Sequence, residues 1–464
     1  MKLKITFIIL LYTSLTFSQS TTLIPDSNFE QSLINLGIDS NGLTGDILNS
    51  DAESITFLSL LNVDISDLTG INSFTNLIYL NISNNSLGSI DISNLSNLET
   101  LSAQYCSLSG ALDLTGNTNL KQLYADFNQI TSVSFASSNV IENINLDSSN
   151  LATIDVSNFN NLQALDVGSN PNLSNVNVTQ NPNLYLLSLE NTQVISVDLT
   201  QNPLLEYYYH SGVALSGLNL SANTLLKELN LFYCSLSSLD LSNNTLLERL
   251  WMGANRISSM DYSNLPNLKL LNVFDPYPGF KFTSIDLSNN LDLETLVLSY
   301  NNIENLDLSN HDKLLEVYMY SNNLSTLNIK NGANGILQSL STSLNPNLNC
   351  IEVDDVTQAE ANVTNGTWYK DASTNYSTDC VSLSLEDQDL LLDVKLSPNP
   401  VLNELNISLI NNIKSVQVSN IIGKTIYKIN QSVEKIDMSF YKPGLYLITI
   451  ETEKGTITKK IIKQ

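Results

Sequence analysis

Few groups in this 464-residue chain can do chemistry near neutral pH: two histidines, four cysteines, and 46 acidic side chains set against 21 basic ones. Nucleophilic catalysis needs a Ser, Cys or Lys held against a base, and acid–base catalysis needs paired titratable groups with separated pKa values. His210, in Tyr207-Tyr208-Tyr209-His210, alternates inward with Leu205 and Tyr208, which predicts a core histidine. His311, in Ser309-Asn310-His311-Asp312-Lys313, predicts an exposed turn. No Cys neighbours either histidine, and no His-Glu-x-x-His, nucleophile elbow or phosphate-binding loop occurs. Carboxylate pairs recur throughout, so their presence says little about catalysis. The expectation is a protein that is not an enzyme, with no catalytic residues, no metal centre and no cofactor. Calcium is the one ion for which the acidic, oxygen-rich composition leaves room.

The elements that carry these residues are copies of one phrase, clearest in residues 226–246, LKELNLFYCSLSSLDLSNNTL. Leu226, Leu229, Leu231, Leu236, Leu239 and Leu241 are apolar at fixed offsets, so each copy must bury one stripe against its neighbours. Opening residues from Leu77 through Leu226 and Leu247 to Leu337 fall mostly 21 or 22 apart, which makes about 14 coils over residues 55–348. The pattern LxxLxLxxNxLxxLDLSxN resembles the leucine-rich repeat family. In that pattern LxL is a strand, and the following Asn turns its amide onto the backbone of adjacent coils. Asn85, Asn128, Asn170, Asn255, Asn301, Asn322 and Asn345 hold that slot, as do Cys106 and Cys234, which are therefore expected as buried free thiols.

The second half of each copy, as in Ile90-Asp91-Ile92 and Leu239-Asp240-Leu241, alternates with period two and predicts a second sheet on the opposite side. Its central residues form a file of carboxylates, Asp91, Asp113, Asp155, Asp198, Asp240, Asp261, Asp286 and Asp307, read as a solvated acidic face, with calcium the alternative. On the LxL side, Tyr79 and Tyr124 begin a file of aromatics at exposed positions that crowds toward the later coils. There Tyr207, Tyr209, Phe232, Trp251, Phe274, Tyr318 and Tyr320 are the expected ligand-binding residues, for a protein or glycan. Arg249 and Arg256 lie in the same region, and residues 274–282 lengthen one coil into a loop beside it.

The flanks differ from the repeat. Residues 1–19 place Lys2 and Lys4 ahead of an apolar run, as a secretory signal peptide does, and no later stretch is long and apolar enough to span a bilayer. Residues 20–54 predict a cap: Ser27 to Glu30 read as a capping box opening a helix that Gly37 stops. Asp39-Ser40-Asn41-Gly42 partly matches a calcium loop, but the Gly falls early and no Glu closes it, so a turn is expected. After Leu348 the period fails, and Cys350 and Cys380 are expected to form a disulfide that closes a C-terminal cap over residues 349–381, with Trp368 and Tyr369 as its filling. This segment resembles the carboxyl-side caps of secreted leucine-rich repeat proteins from gliding and gut bacteria. Residues 382–394 read as an acidic linker.

The net charge of −25 argues against nucleic acid as a partner. It is uneven: residues 395–464 hold 10 Lys and 5 acidic residues. This tail alternates between Pro, Gly and Asn turns, as a small β-sandwich does. Its Ser397-Pro-Asn-Pro400, Ile422-Gly-Lys424, Pro443-Gly-Leu-Tyr446 and closing Lys459-Lys-Ile-Ile-Lys463 resemble the type A sorting domain of the Bacteroidota type IX secretion system. The resemblance implies export by that machinery and a location outside the cell or on its outer membrane. The fold expected is thus mainly β: a leucine-rich repeat solenoid with a short helical N-terminal cap, plus a C-terminal β-sandwich. The expected role is binding; a passive structural component of the cell surface is the alternative.

Overall fold

The computed structural model describes residues 19–137, 140–275, 277, 279–380, 394–409, 413–420, 424–431, 433–452 and 456–464. The apolar leader and all but the last residue of the expected linker lie outside the described residues. The chain at each LxL forms a three-residue strand, and these, with the two-residue strand Trp368–Tyr369 at the end, pair in parallel into one sheet of 15 strands that starts at Phe57–Ser59. The register is constant from coil to coil, so Leu58, Leu80, Leu101 and Leu123 lie side by side, and so do Leu229, Leu250 and Leu271. All of them are buried, because a strand points alternate residues to opposite faces and only the inner one meets the core.

Asparagine joins the coils. In one copy, Asn170 Nδ2 donates to Leu146 O at 2.9 Å in the preceding coil and to Val167 O at 3.0 Å in its own, while its Oδ1 accepts from Leu151 N at 2.8 Å. One side chain therefore satisfies turn groups that no strand can reach. Cys106 and Cys234 fill the same slot as free, buried thiols, with their Sγ atoms 3.1 Å from Ile82 O and 2.8 Å from His210 O.

A second amide ladder, absent from the sequence expectation, runs through the other half of the coils. Asn181, Asn202, Asn223 and Asn244 are fully buried; Asn223 Nδ2, for instance, donates to Leu199 O at 3.1 Å and Asn202 O at 2.8 Å. His311 belongs to this series, 21 residues after Asn290. Only 3% of it is exposed, and its Nε2 lies 3.1 Å from Leu287 O. The expected exposed turn at His311 is therefore wrong, since the repeat demands an inward polar group there.

The expected continuous second sheet is also corrected. Among the described residues, strands on that side pair only at Ser109–Leu114 with Gln129–Phe135, and across Asn305–Asp307, Thr326–Asn328, Cys350–Glu352 and Asn375–Ser377. Elsewhere the corresponding stretch of the coil, as at residues 90–92 and 239–241, forms no strand. Asp240 Oδ1 accepts from Ser242 N at 2.9 Å, and in the same way Asp91 accepts from Ser93 N, Asp155 from Ser157 N, Asp198 from Thr200 N and Asp261 from Ser263 N. The bond also forms at Asp113 and Asp307, inside strands that do pair, so this Asx turn accompanies either arrangement. The Asp file is exposed, and hydrogen bonds from the Ser or Thr two residues on hold Asp155, Asp198 and Asp240 below the usual carboxylate range.

At the N-terminal end, helix α1 (Ser27–Asn35) covers the first coil with Phe29 and Leu33, and Gly37 follows at φ +71°. The capping box expected at Ser27 and Glu30 does not form. Asp26 is the N-cap, accepting from Asn28 N and Phe29 N, while its second oxygen accepts from Ser66 N and Asp67 N in the first coil. Burial alone would raise the Asp26 pKa; these bonds hold it below the usual value. At the other end Trp368, 1% exposed, closes the core, and Cys350 is bonded to Cys380. Tyr369 points outward, 55% exposed, so Tyr376 takes the filling role expected of it. Residues 394–463 form two antiparallel sheets of three and four strands around their own core, including Val401, Leu405, Val416 and Ile448.

Replacing Asn170 by Ala strands several buried groups and is expected to cost about 2–4 kcal/mol in urea unfolding. Exposed Asn172→Ala should change the same midpoint by less than about 0.5 kcal/mol.

Candidate ligand-binding face

The long sheet's outer face is built from the residues flanking each buried central one. Its register runs Tyr207, Glu228, Arg249 and Tyr209, Asn230, Trp251 across three successive strands. Tyr318 lies between Val297 and Ser341. All seven expected aromatics, Tyr207, Tyr209, Phe232, Trp251, Phe274, Tyr318 and Tyr320, lie along this side, but each is half-buried where full exposure was expected. The coils stand too close for a large ring to avoid its neighbours. Phe232 lies over Gly253, where an added Cβ would come within 2.3 Å of the ring, so that coil needs glycine. Burial, and then the Glu228 carboxylate that accepts from its hydroxyl at 2.9 Å, raise the Tyr209 pKa.

The structure joins some of these rings through residues missed in the sequence. Phe274 and Tyr320 both meet Tyr300, at centroid distances of 5.3 Å each. Phe232 meets Tyr233 at 6.0 Å, and Tyr233 meets Tyr277 of the lengthened loop at 6.1 Å. Near the other end Tyr105 and Phe127 stack at 4.4 Å, their planes 7° apart.

Tyr105, Phe127, Tyr233, Tyr300 and Leu344 share one position, immediately before the ladder Asn or Cys. Each has φ between 53° and 61°, the left-handed region. A bulky side chain there costs roughly 1 kcal/mol, and these five nevertheless project into solvent, between 37% and 54% exposed. Burial cannot repay that strain. The signal was available in the sequence, since the residue before each ladder position can be read directly.

Charge on this face is arranged coil by coil. Lys121 pairs with Glu99 at 2.9 Å, Lys227 with Glu206 at 2.7 Å, Arg249 with Glu228 at 2.8 Å and Lys269 with Glu248 at 2.7 Å. Between these lie Asp126, Asp147, Asp166 and Glu190, on consecutive coils and in none of the ion pairs among the described residues. Burial first, and then mutual repulsion, raise the pKa values of Asp126, Asp166 and Glu190. Gly168 keeps this basin open, because a Cβ there would lie 3.0 Å from Asp147 Oδ1 and 3.1 Å from Ser188 Oγ.

Comparison with known proteins fits this geometry. Residues 395–464 match the family model of the secretion system C-terminal sorting domain. InlJ of Listeria monocytogenes, whose functional domain includes a cysteine ladder, superposes with a TM-score of 0.64 at 21% identity, over 96% of this chain and 99% of that one. The chain has the leucine-rich repeat fold and ends in a sorting domain. A leucine-rich repeat protein of Leptospira interrogans superposes at TM-score 0.52 and 20% identity, over 70% of this chain and 97% of that one. An internalin, InlF, of Listeria monocytogenes gives 0.51 and 20%, over 77% and 96%. At these identities the likeness shows the fold alone. Comparison with curated proteins returns no match. The sorting domain marks this repeat protein as secreted or attached at the cell surface through the type IX system. No helix among the described residues is long and apolar enough to cross a membrane.

Inside the repeat body the groups that suggested chemistry are core parts. Cys106 and Cys234 are pushed up by burial to about 11 and about 12, far from thiolate reactivity. His210 is buried, with Nδ1 2.5 Å from the Tyr208 hydroxyl and Nε2 2.8 Å from Val194 O, and burial lowers its pKa to about 4. The unfolded chain, titrating near 6.5, therefore takes up this proton first as pH falls. Stability is full above about pH 6.5 and is lost on the way down to about pH 4, by roughly 3 kcal/mol. The difference in urea midpoint between parent and His210→Gln should shrink across that window.

Proposed function

We propose that this leucine-rich repeat protein is a non-catalytic binding protein of the cell exterior, gripping a partner on the outer face of its long sheet. The observation that carries the reading is the set of large side chains, Tyr105, Phe127, Tyr233, Tyr300 and Leu344, held in left-handed backbone yet exposed. Their placement contributes nothing to the core, whereas aromatic rings around a half-buried file supply contact area at low entropic cost. Tyr207, Tyr209, Phe232, Trp251, Phe274, Tyr318 and Tyr320 form the floor of the proposed site, with the Tyr233, Tyr277 and Tyr300 rings along its edge. The carboxylates of Asp126, Asp147, Asp166 and Glu190, in no ion pair among the described residues, favour a protein partner with basic side chains. A glycan stacked on the rings is the other ligand this floor would suit. A passive surface scaffold is the rival, and it gives the exposed rings no task.

The test is a pair of arrays, one of proteins and one of glycans, probed with the secreted protein and with a Tyr209→Ala, Trp251→Ala, Tyr300→Ala variant. Loss of signal by tenfold or more, about 1.4 kcal/mol, is expected on one array. Equal signals from parent and variant on both would leave only the scaffold reading.

A further inference from the structure

The N-terminal cap contains buried acidic groups with nothing of opposite charge to meet them. Glu30 is 2% exposed and Asp39 6% exposed. After Lys4 the next basic residue in the chain is Lys121, and His210 is the first histidine, so no side chain of the cap or of the opening coils can neutralise them. A buried carboxylate left in that condition is costly, and it is normally met by a bound cation or a proton.

The hydrogen bonds show where a cation would sit. Glu30 Oε1 accepts from Thr44 N at 2.7 Å and Gly45 N at 2.5 Å, and Asp51 Oδ2 accepts from Ser40 N at 3.1 Å and Ser40 Oγ at 2.5 Å. The loop from Asp39 to Asp46 is thus strung between two carboxylates. Asp39 Oδ1 accepts from Asn41 N at 3.1 Å, while its Oδ2 is buried with no partner. Asn41 Nδ2 donates to Thr44 Oγ1, Asp46 O and Asp46 Oδ1, at 2.7, 3.0 and 2.8 Å. Those three acceptors fix the amide's orientation, and its Oδ1 is also buried without a partner. Two orphaned oxygens two residues apart, next to two further carboxylates, are what a hard cation binds.

We propose that the N-terminal cap holds one calcium ion between helix α1 and the loop from Asp39 to Asp46, with Asp39 Oδ2 and Asn41 Oδ1 as its fixed ligands. No three His, Cys, Asp or Glu side chains among the described residues are grouped to hold a metal by themselves. The donor set is accordingly mixed: the Asp39 carboxylate, the Asn41 amide oxygen, one further oxygen from Glu30 or Asp51, and water. All donors are oxygen and none is sulfur or imidazole, which suits calcium rather than zinc. With Glu30 as that further donor, the ion would tie helix α1 to the loop; with Asp51, it would tie the loop to the residues that follow it. This proposal does not depend on the binding face.

The test is thermal unfolding of the full secreted protein in chelator, in about 2 mM calcium and in about 2 mM magnesium, a range that covers extracellular calcium sites. Calcium should raise the midpoint by at least about 2 °C, and magnesium by clearly less. Asp39→Asn and Asn41→Ala should abolish the calcium shift. Asp39→Asn should be no less stable than the parent in chelator, because it discards an unpaired buried charge. Asp91→Asn with Asp113→Asn, on the exposed Asp file, should keep the shift. A parent with no calcium shift, an equal response to magnesium, or Asp39→Asn and Asn41→Ala variants that still respond, would overturn the proposal.

Discussion

Everything in the repeat body depends on one constraint: a coil of about 21 residues cannot bury its own apolar stripe, and its turns cannot satisfy their own backbone. Stacking solves the first difficulty and the asparagine ladder the second. Asn170 spans its own coil and the one before it through a single amide, and the same bridge recurs at Asn85, Asn128 and Asn255. A long parallel sheet with three-residue strands follows, because the ladder allows the chain to leave the strand almost at once.

The ladder also explains which substitutions the stack accepts. Cys in place of Asn keeps a small buried group near the same carbonyl, as Cys106 and Cys234 do. His311 takes an Asn position in the second ladder by presenting Nε2 to Leu287 O. Outside the ladders the coils tolerate wide variation, and function has room there. The left-handed residue before each ladder position is forced by the sharp turn, and the chain places there sometimes Asn or Ser, which tolerate it, and sometimes Tyr or Phe, which do not.

The acidity has two physical origins. Asp residues of the outer file lie in solvent and fold their carboxylates onto their own backbone, as Asp155 does with Ser157. Asp126, Asp166 and Glu190 are partly withdrawn from water and belong to none of the ion pairs among the described residues, so burial and repulsion act together on them. A composition figure cannot separate the two. Only the first kind is inert surface, and the second is stored strain that a cationic partner would relieve.

Much was legible without coordinates. The 21-residue period, the LxL strands, the slots of Asn85 and Cys234, the inward His210, the pairing of Cys350 with Cys380 and the sorting tail are local or periodic signals, and each is a statement about one stretch of chain. The second ladder could have been read from Asn181, Asn202, Asn223 and Asn244 at equal spacing, as could the aromatic positions before the ladder. Tertiary structure alone decided the rest. That Asn305–Asp307 pairs as a strand while Leu239-Asp240-Leu241 does not was decided between coils, since the same local Asx bond forms at both. Which rings meet, and that Tyr369 turns outward while Tyr376 turns in, depended on packing between coils. Periodicity specifies which residues face the core, and contact across coils specifies what the remaining side chains can reach.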